Sequence, residues 1–450
     1  ALGDALLDLD RGAEAVAAYR RGAALAPGTA EAAQGEAALR LAALGDGTVS
    51  AAESFAEHRD WGTALAARQK APAAPFANTR DPGRRLRVGF VSPDFRQHSV
   101  AYFFEPLLAA LDRAAVESVC YANVAPAAED ETTARLRRLA PHWRSVAGLD
   151  DEALRRQIRA DGIDILIDLA GHTAGNRLAA FAVKPAPVTA TWLGWPATTG
   201  LPTIDWRITD AIADPPGAEA VHTERLLRLP AGFLCYRAPE DAPAVAPLPS
   251  RSRGAVIFGS FNDLRKVREE SVALWAAVLR AVPNSRFLCK AGLLADPAGR
   301  QRLVERFARH GIAAERLDLR PHAPERAAHL AAYGEIDVAL DTLPYNGATT
   351  SCEALWMGVP VVTLAGDRHA ARVGASLLTA AGLPQWIAAD ADEFRRIAAA
   401  LAADSDALAL MRAGLRARLA GSALCDAAGF AAAFTAALRR IWAEAAAAGW

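Results

Sequence analysis

The sequence contains little lysine and no long apolar run. Only four of its 50 basic residues are lysine: Lys70, Lys184, Lys266 and Lys290. Because arginine dominates elsewhere, a position that keeps lysine has a raised chance of needing a compact ammonium group. No apolar segment reaches the roughly 18 residues that a membrane-spanning helix requires, and no signal peptide is visible. The sequence therefore predicts no membrane span.

Neither sign of charge is in excess. The 50 basic and 51 acidic residues give a formal net charge of -1. Without a global basic field, nucleic acid and anionic membranes are not expected as partners. Hydrophobic residues make up 52% of the 450-residue chain. This apolar content excludes a wholly disordered protein and is sufficient for more than one buried core.

Cysteine is scarce and scattered. The five cysteines are far apart in the chain and form no CxxC pair. A disulfide framework or a zinc knuckle is therefore not expected, and a reducing compartment, the cytoplasm, is the predicted location. The chain also lacks the GxGxxG, P-loop and GxSxG motifs.

Two Asp-x-Asp segments, 390–392 and 404–406, have the spacing of the metal-binding motif of some transferases. Both lie where helices are predicted to begin, and Asp is a common N-cap residue. We therefore interpret them as helix caps and expect no metal ion.

The N-terminal segment, residues 1–67, is predicted to be helical. The segment resembles a tetratricopeptide repeat, because it has small residues where helices approach, Tyr19 between two helices and Pro27 after the second one. Residues 30–44 fit a further helix. A plain alanine-rich helical hairpin is the alternative interpretation. Because one or two repeats cannot bury a core alone, the segment either packs against the next domain or continues a longer array that precedes Ala1.

Two regions, 86–240 and 255–430, alternate short β-branched runs with helical stretches. A proline-rich linker at 68–85 precedes the first region, and another at 241–254 separates the two. Residues 431–450 are predicted to form a final helix. The predicted strands are 87–91, 116–124, 163–169, 188–193, 207–209, 226–229, 255–260, 286–290, 317–319, 336–340 and 359–364. The predicted helices between them include 99–111, 151–160, 269–282, 299–310, 324–333 and 350–357.

This alternation predicts an α/β protein with two Rossmann-like, doubly wound domains preceded by a short all-α segment. Two such domains joined by a hinge are the layout of the GT-B glycosyltransferases. Because ligands of open α/β sheets lie beyond the carboxyl ends of the strands, we expect a site in a cleft between the domains.

The segment from Asp341 to Trp356 is the strongest candidate for a ligand site. A strand ends at Asp341, a turn carries Gly347, and a helix is predicted to begin near Thr349. The free N–H groups of a helix start favour a phosphate, and nearby hydroxyls add donors. The alternative is that Thr350 and Glu353 form an ordinary capping box.

Two further candidates follow other strands. Lys266 lies where a cation could neutralise a leaving diphosphate, although a solvated loop lysine is the commoner case. His98 could orient or deprotonate an acceptor hydroxyl, whereas a lone histidine is more often a structural hydrogen-bonding residue. His172 follows another strand and has the same two interpretations.

Several spaced motifs occur in a fixed order. They are Arg87–Ser92 through His98, Lys184–Pro187 through Trp192–Pro196, Phe261-Asn262 with Lys266, Asn346-Gly347 with Thr349-Thr350, and Gly358–Thr363. In this order they resemble the O-linked N-acetylglucosamine transferase family, in which tetratricopeptide repeats precede a GT-B catalytic region. The resemblance covers the chain from about Leu86 to the C-terminal helices.

The resemblance implies a metal-independent, inverting transfer of GlcNAc from UDP-GlcNAc to Ser or Thr of a protein, with no cofactor. It assigns His98 as the active-site histidine, whose role as a base stays open, and Lys266 as the lysine on the donor diphosphate. The positions that it assigns to donor binding are Asn262, Asp263, Lys266, Ala323, His329, Gly347, Ala348, Thr349, Thr350 and Glu353.

The resemblance also implies individual contacts with the donor. Thr349 and Thr350 match threonines on the phosphates, and Glu353 matches an acidic residue on the ribose. The backbone of Ala323 matches a uracil contact, and His329 matches a residue near the base.

Three positions depart from the animal enzymes. Ala348 replaces a histidine, Asp263 replaces a glutamine and His172 replaces a tyrosine. Asp263 would repel a diphosphate unless it faces Lys266 or the sugar hydroxyls. GDP-fucose and UDP-glucose therefore remain alternative donors, and a repeat-bearing scaffold with a vestigial catalytic region is a further alternative. The expected partners are a nucleotide-sugar donor and a protein or peptide acceptor, and homo-oligomerisation is left open.

Overall fold

The protein is described by a computed structural model that covers residues 2, 3, 6, 12–25, 49–69, 75–323 and 325–449. The chain divides into two units. The first unit comprises Ser50–Arg237 with Asp426–Trp450, and the second comprises Ala1–Val49 with Ala238–Cys425. None of the helices in the described ranges has both the length and the apolar character that crossing a membrane requires.

The N-terminal helix α1 (Gly12–Leu25) contributes to a small apolar cluster. Leu6, Ala15, Val16 and Tyr19 are its buried members. A Cβ atom on Gly3 would lie 2.4 Å from the Tyr19 ring, so the backbone at Gly3 packs directly on that ring. The further helix expected at 30–44 lies outside the described residues.

Seven parallel strands form the sheet of the first unit, in the order β3-β2-β1-β4-β5-β6-β7. They are β1 (Leu86–Ser92), β2 (Val116–Ala122), β3 (His142–Ser145), β4 (Ile165–Asp168), β5 (Val188–Thr191), β6 (Trp206–Asp210) and β7 (Arg225–Leu229). The six strands predicted in this region are confirmed. The sequence does not predict β3, because this edge strand is partly exposed and has no apolar run.

The helices of the first unit include one that the sequence assigns to the N-terminal segment. The helices are α2 (Ala51–Arg68), α3 (Ser99–Ala110), α4 (Glu131–Leu139), α5 (Asp151–Ala160) and α6 (Leu178–Phe181). A Cβ atom on Gly62 of α2 would lie 2.0 Å from the Gly200 carbonyl oxygen, and His58 accepts a hydrogen bond from Trp195 Nε1 over 3.1 Å. Helix α2 is therefore packed against the loops that follow β5.

Six parallel strands form the sheet of the second unit, in the order β10-β9-β8-β11-β12-β13. They are β8 (Val256–Ser260), β9 (Ser285–Lys290), β10 (Leu317–Arg320), β11 (Val338–Leu340), β12 (Val361–Leu364) and β13 (Ile387–Ala388). The helices are α7 (Ser250–Arg253), α8 (Glu269–Ala281), α9 (Pro297–Arg309), α10 (Arg326–Ala331), α11 (Thr349–Trp356), α12 (Val373–Ala380), α13 (Ala391–Ala403) and α14 (Ser405–Ala420). The five strands predicted here are confirmed, and the two-residue β13 is an addition to them.

The final helix, α15 (Ala427–Ala448), belongs to the first unit. The rings of Phe430 and Phe434 lie 5.9 and 5.1 Å from the Trp192 ring, centroid to centroid. The sequence places this helix at 431–450, and the structure begins it four residues earlier. The remaining short turns are 3-10 helices at Pro126–Ala128, Ala218–Val221, Leu264–Lys266, Gly292–Ala295, Ala314–Arg316, Ala332–Glu335, His369–Ala371, Pro384–Trp386 and Ala423–Cys425.

Each sheet reverses its strand order at one point, between β1 and β4 in the first unit and between β8 and β11 in the second. The loops that leave these paired strands diverge to opposite faces, so a crevice opens beyond the carboxyl ends. In the first unit the reversal places the loop containing His98 beside the loop after β4. In the second it places the loop containing Lys266 beside the loop after β11.

Candidate functional site

A buried carboxylate shapes the loop that follows β11. Asp341 accepts hydrogen bonds from the backbone N–H groups of Thr342 (2.8 Å) and Gly347 (2.7 Å) and from the Thr363 hydroxyl (2.7 Å). Burial raises the pKa of Asp341 to about 6, and these hydrogen bonds oppose the rise. The loop is therefore folded back on its own strand end, which brings Gly347 to the start of α11.

The N-terminus of α11 has no side-chain cap. Its N-cap residue is Ala348, which offers no oxygen to the first turn. Thr350 instead donates its hydroxyl to Asn262 Oδ1 over 2.8 Å, and Glu353 points to other partners. The capping-box interpretation of Thr350 and Glu353 is therefore wrong. An uncapped helix start leaves backbone N–H groups for an anion.

The side chains around this helix start leave one hydroxyl unused. Thr349 Oγ1 is shielded from solvent and has no hydrogen-bond partner among the described residues. Gly347 keeps the entrance open, because a Cβ atom there would lie 2.4 Å from Thr350 Oγ1 and 2.7 Å from Asn262 Oδ1. A buried, unsatisfied hydroxyl is unfavourable unless a ligand completes it.

Lys266 lies beside the same loop. Its Nζ donates to the Asn346 carbonyl oxygen over 3.0 Å and lies 4.0 Å from the centroid of the Tyr345 ring. Burial lowers the pKa of Lys266 to about 8, while the negative charges of Asp341 and Asp263 oppose the shift. The interpretation as a solvated loop lysine is therefore wrong. The ammonium group is partly desolvated, and an approaching anion would stabilise its charge.

Asp263 pairs with a neighbour in the loop after β8. Its carboxylate forms hydrogen bonds with the Arg265 guanidinium, the shortest at 2.6 Å, and accepts from the Arg265 backbone N–H over 2.9 Å. Although burial opposes ionisation, the contacts with Arg265 hold the pKa of Asp263 below its usual value. The pairing with Arg265 offsets the negative charge that Asp263 would otherwise present to a diphosphate.

Glu353 belongs to a second polar cluster, one turn further along α11. Its Oε2 accepts from His329 Nε2 over 3.0 Å and from the Tyr333 hydroxyl over 3.3 Å. His329 Nδ1 lies 3.0 Å from Lys290 Nζ. Ala323 is partly buried in the loop after β10. The structure thus joins Glu353 to His329, and adds Lys290 and Tyr333, which the sequence does not predict as site residues.

His98 immediately precedes α3 in the first unit, and its side chain serves as the N-cap. Its Nδ1 accepts from the Val100 backbone N–H over 3.3 Å and lies 3.6 Å from Asp94 Oδ2. Burial lowers the pKa of His98, Asp94 opposes this and Arg96 adds to it. With Nδ1 accepting, the neutral ring carries its proton on Nε2. In that tautomer the Nε2–H group of His98 is a hydrogen-bond donor.

His172 has a structural environment in the same unit. Its Nε2 donates to the Thr199 carbonyl oxygen over 2.8 Å, and its ring lies 4.5 Å from the Trp61 ring and 5.2 Å from the Trp195 ring. The side chain is buried, with only 2% of its surface exposed. His172 therefore fixes helix α2 against the loops after β4 and β5.

The two Asp-x-Asp segments cap helices. Asp390 accepts from the Glu393 backbone N–H, and Asp404 accepts from the backbone N–H groups of Asp406 and Ala407. The cap interpretation is confirmed. Across the ranges that the structure describes, no three His, Cys, Asp or Glu side chains are grouped so as to hold a metal ion.

Comparison with known protein families assigns the chain. The family model described as "Glycosyl transferase family 41" matches residues 65–237 and 242–434. The chain belongs to this family. The match spans both Rossmann-like units, and the predicted GT-B fold class is confirmed.

Two plant relatives of this family 41 chain carry related names. The chain is 42% identical over 392 residues to the "Probable UDP-N-acetylglucosamine--peptide N-acetylglucosaminyltransferase SPINDLY" of Arabidopsis thaliana, covering 86% of this chain and 43% of that protein. It is 33% identical over 349 residues to the protein of the same description called SEC from the same plant, covering 74% of this chain and 35% of the relative. The chain thus spans less than half the length of these relatives.

A solved bacterial structure resembles the family 41 chain over nearly its whole length. It is a mutant of the Thermobaculum terrenum O-GlcNAc transferase, with a TM-score of 0.92 and 39% identity, covering 99% of this chain and 84% of that one. The arrangement of strands and helices described above is therefore shared with that transferase.

The family 41 site also contains residues that the sequence does not single out for ligand contact. Asn346 accepts the Lys266 hydrogen bond through its carbonyl oxygen, and its Nδ2 donates to the Thr342 carbonyl oxygen over 2.7 Å. Lys290 is the last residue of β9. The scarcity of lysine is a signal that could have indicated Lys290, as it did Lys266.

Proposed function

We propose that the protein is an inverting, metal-independent glycosyltransferase that transfers GlcNAc from UDP-GlcNAc to Ser or Thr hydroxyls of protein acceptors. The single observation that carries the proposal is the arrangement at α11. An uncapped helix start, an unsatisfied Thr349 hydroxyl and the Lys266 ammonium group lie around one loop. The family membership and the names of the relatives support the sugar and the acceptor class.

This arrangement suits the chemistry of a leaving diphosphate. When the bond between the anomeric carbon and the diphosphate oxygen breaks, negative charge develops on that oxygen. A helix N-terminus and an ammonium group that are already in place stabilise this charge more than they stabilise the intact donor. Lys266 and the first turn of α11 would then supply the stabilisation that a metal ion supplies in other transferases.

We infer separate roles for the two histidines that the resemblance implies. His98 would donate a hydrogen bond from Nε2 to the acceptor oxygen and orient it for attack on the anomeric carbon, while the hydroxyl proton passes to the departing diphosphate. His329 would lie beside the nucleoside, because its ring packs near Phe261 and its Nε2 contacts Glu353. Asn262 and Thr350, which are joined by a 2.8 Å hydrogen bond, would line the phosphate-binding site. Ala323 would contact the base through its backbone.

The donor is tested by nucleotide binding. Thermal melting is measured with UDP, UDP-GlcNAc, UDP-glucose, GDP and GDP-fucose at matched concentrations. A ligand at about 100 times its Kd stabilises the folded state by about 2.7 kcal/mol, so the correct nucleotide is visible as a raised Tm. UDP and UDP-GlcNAc are expected to give the largest shifts. A preference for GDP and GDP-fucose would redirect the proposal to fucose, and no shift with any nucleotide would favour the vestigial scaffold.

The acceptor is tested by intact mass. Candidate proteins co-expressed with the wild-type chain or with Lys266→Met are compared by mass spectrometry. An added N-acetylhexosamine mass on Ser or Thr that depends on Lys266 is the expected result. Modification that persists with the variant would contradict the proposed reaction.

We also infer that the protein works in a reducing compartment such as the cytoplasm. Four free thiols, those of Cys120, Cys235, Cys289 and Cys352, are buried. Burial raises the pKa of Cys289 to about 12, so the neutral thiol is retained in the core. Labelling of these thiols after the protein from cells is denatured, without prior reduction, tests this inference, and blocked thiols would contradict it.

A further inference from the structure

Lys290 is buried at the carboxyl end of β9, with 4% of its surface exposed. Its Nζ lies 3.0 Å from the His329 carbonyl oxygen, 3.0 Å from His329 Nδ1 and 4.3 Å from the centroid of the Phe261 ring. An ammonium group has three N–H donors and no acceptor. A carbonyl oxygen, an imidazole nitrogen and an aromatic face therefore account for all three donors.

This contact determines which nitrogen of His329 carries a proton. Because the ammonium group can only donate, Nδ1 must accept, and the neutral ring carries its proton on Nε2. That N–H then donates to Glu353 Oε2 over 3.0 Å, and the Tyr333 hydroxyl lies 3.3 Å from the same oxygen. Both hydrogen bonds recorded for Glu353 within the described residues end on Oε2. Its other oxygen, Oε1, is left to accept from a ligand.

The charges around Lys290 favour this arrangement at neutral pH. The charged and titratable groups that surround its ammonium are Glu335, Glu353, Arg320, His322, His329 and Tyr333. Burial lowers the pKa of Lys290 to about 8, and the carboxylates of Glu353 and Glu335 oppose the shift. At pH 7 Lys290 is therefore still mostly protonated and acts as a donor.

We propose that Lys290 is a positioning residue of the donor site: it fixes the tautomer of His329 and, through it, directs Glu353 Oε1 toward the hydroxyls of the bound nucleoside. The proposal rests on the proposed function, since it requires a nucleoside diphosphate as ligand. Lys290 acts here through His329 and Glu353, on the nucleoside rather than on the phosphates, which Lys266 and α11 would hold.

This division of roles makes the inference testable with two probes. The Kd values of UDP and of inorganic pyrophosphate are measured at pH 7 for wild type, Lys290→Met and Lys184→Met. Methionine keeps the apolar stem and removes the charge. Lys184→Met is the matched control, because Lys184 pairs with Asp205 in the first unit.

Lys290→Met is expected to lower the affinity for UDP about tenfold, as removal of a hydrogen bond to a charged group predicts. The affinity for pyrophosphate should stay within about twofold of the wild-type value. In turnover, the donor KM should rise while kcat is retained, which is the pattern of lost ground-state binding. An equal loss of affinity for UDP and pyrophosphate, or no loss for either, would overturn the inference.

Two more variants keep the test decisive if Lys290→Met folds poorly. Lys290→Arg retains the charge and the donor groups and should recover part of the UDP affinity. In a double-mutant cycle, Lys290→Arg combined with Glu353→Gln should bind UDP no more weakly than Glu353→Gln alone, because both changes act on one chain of contacts. Additive losses would overturn the inference. If the wild-type protein binds neither UDP nor GDP, that result contradicts the proposed function, and the inference about Lys290 is then wrong as well.

Discussion

Lys266 Nζ donates a hydrogen bond to the carbonyl oxygen of Asn346 over 3.0 Å, although the two residues are 80 positions apart in the chain. The contact exists because β8 and β11 are adjacent parallel strands whose carboxyl ends meet at one edge of the sheet. An isolated bridge between Val267 and Pro344 joins the two loops just beyond. The only lysine in the loop after β8 is thereby fixed beside the start of α11.

Replacement of Lys266 should abolish transfer without unfolding the protein. Lys266→Met removes the charge that would stabilise the leaving diphosphate, and a loss of at least about 100-fold in kcat is expected. Activity is measured as donor hydrolysis and as transfer, with circular dichroism to verify the fold. Lys184→Met is the control, because its partly exposed ion pair contributes little. Turnover near the wild-type level in Lys266→Met would rule out the assigned role.

Replacement of Thr349 should lower the affinity for UDP without lowering the stability of the fold. Thr349→Val removes a shielded hydroxyl that has no partner among the described residues, so the Tm should stay level or rise slightly. The same hydroxyl is expected to bind phosphate, so UDP affinity should fall about five- to tenfold. Thr379→Val is the control, because its hydroxyl already donates to the Ala375 carbonyl oxygen. A lower Tm with unchanged UDP affinity would contradict the prediction.

Replacement of His98 should distinguish its role as the N-cap of α3 from its role in the transfer reaction. Asparagine is as good an N-cap as any residue, so His98→Asn should keep the stability of α3, whereas His98→Ala should lose ~1 kcal/mol. Both variants should lose transfer activity by about 100-fold, because neither shorter side chain places a donor where imidazole Nε2 lies and the acceptor is then misplaced. The free energy of unfolding and kcat are measured for each. Full turnover in His98→Asn would show that the imidazole is not required.

The affinity for UDP should fall as pH rises above about 8. Burial lowers the pKa of free Lys266 to about 8, and a bound diphosphate would raise it again, so binding favours the protonated lysine. Between the free and bound pKa values the affinity falls by up to about tenfold per pH unit, while the UDP phosphates stay ionised. Calorimetric titration from pH 7 to 9.5 measures this slope. Lys266→Met should reduce the slope to the part that Lys290 contributes, since the pKa of Lys290 is also about 8. An unchanged slope would contradict the assignment.

Chelators should leave activity unchanged. If Lys266 and α11 neutralise the leaving group, then EDTA treatment followed by assay with and without added Mg²⁺ or Mn²⁺ should give the same kcat within about twofold. A strict requirement for either ion would show that another group of residues supplies the charge stabilisation.

The sequence predicted the elements better than their contacts. Every strand that contains an apolar, β-branched run was predicted, because burial on both sides of a parallel sheet requires such a run. The edge strand His142–Ser145 has none and was missed. The capping-box spacing at Thr350 and Glu353 was misleading for a related reason. Spacing shows that two side chains could meet, whereas here Asn262 and His329 compete for them.

Lys290 shows where prediction from the sequence stops. Its rarity as a lysine was visible, but its partners His329 and Glu353 lie 39 positions away and further, on α10 and α11. A cation buried beside an aromatic ring is recognisable only when those elements are in place.

The amino-acid sequence by itself determined the two alternating α/β regions, the helix start near Thr349 and the ordered motifs of the family, because each depends on local pattern and short-range geometry. Only the tertiary structure decided that Lys266 meets the loop after β11, that Asp263 turns to Arg265, and that Lys290 selects the tautomer of His329. These contacts join strands and helices distant in the chain, and their charges depend on burial, which no local pattern specifies.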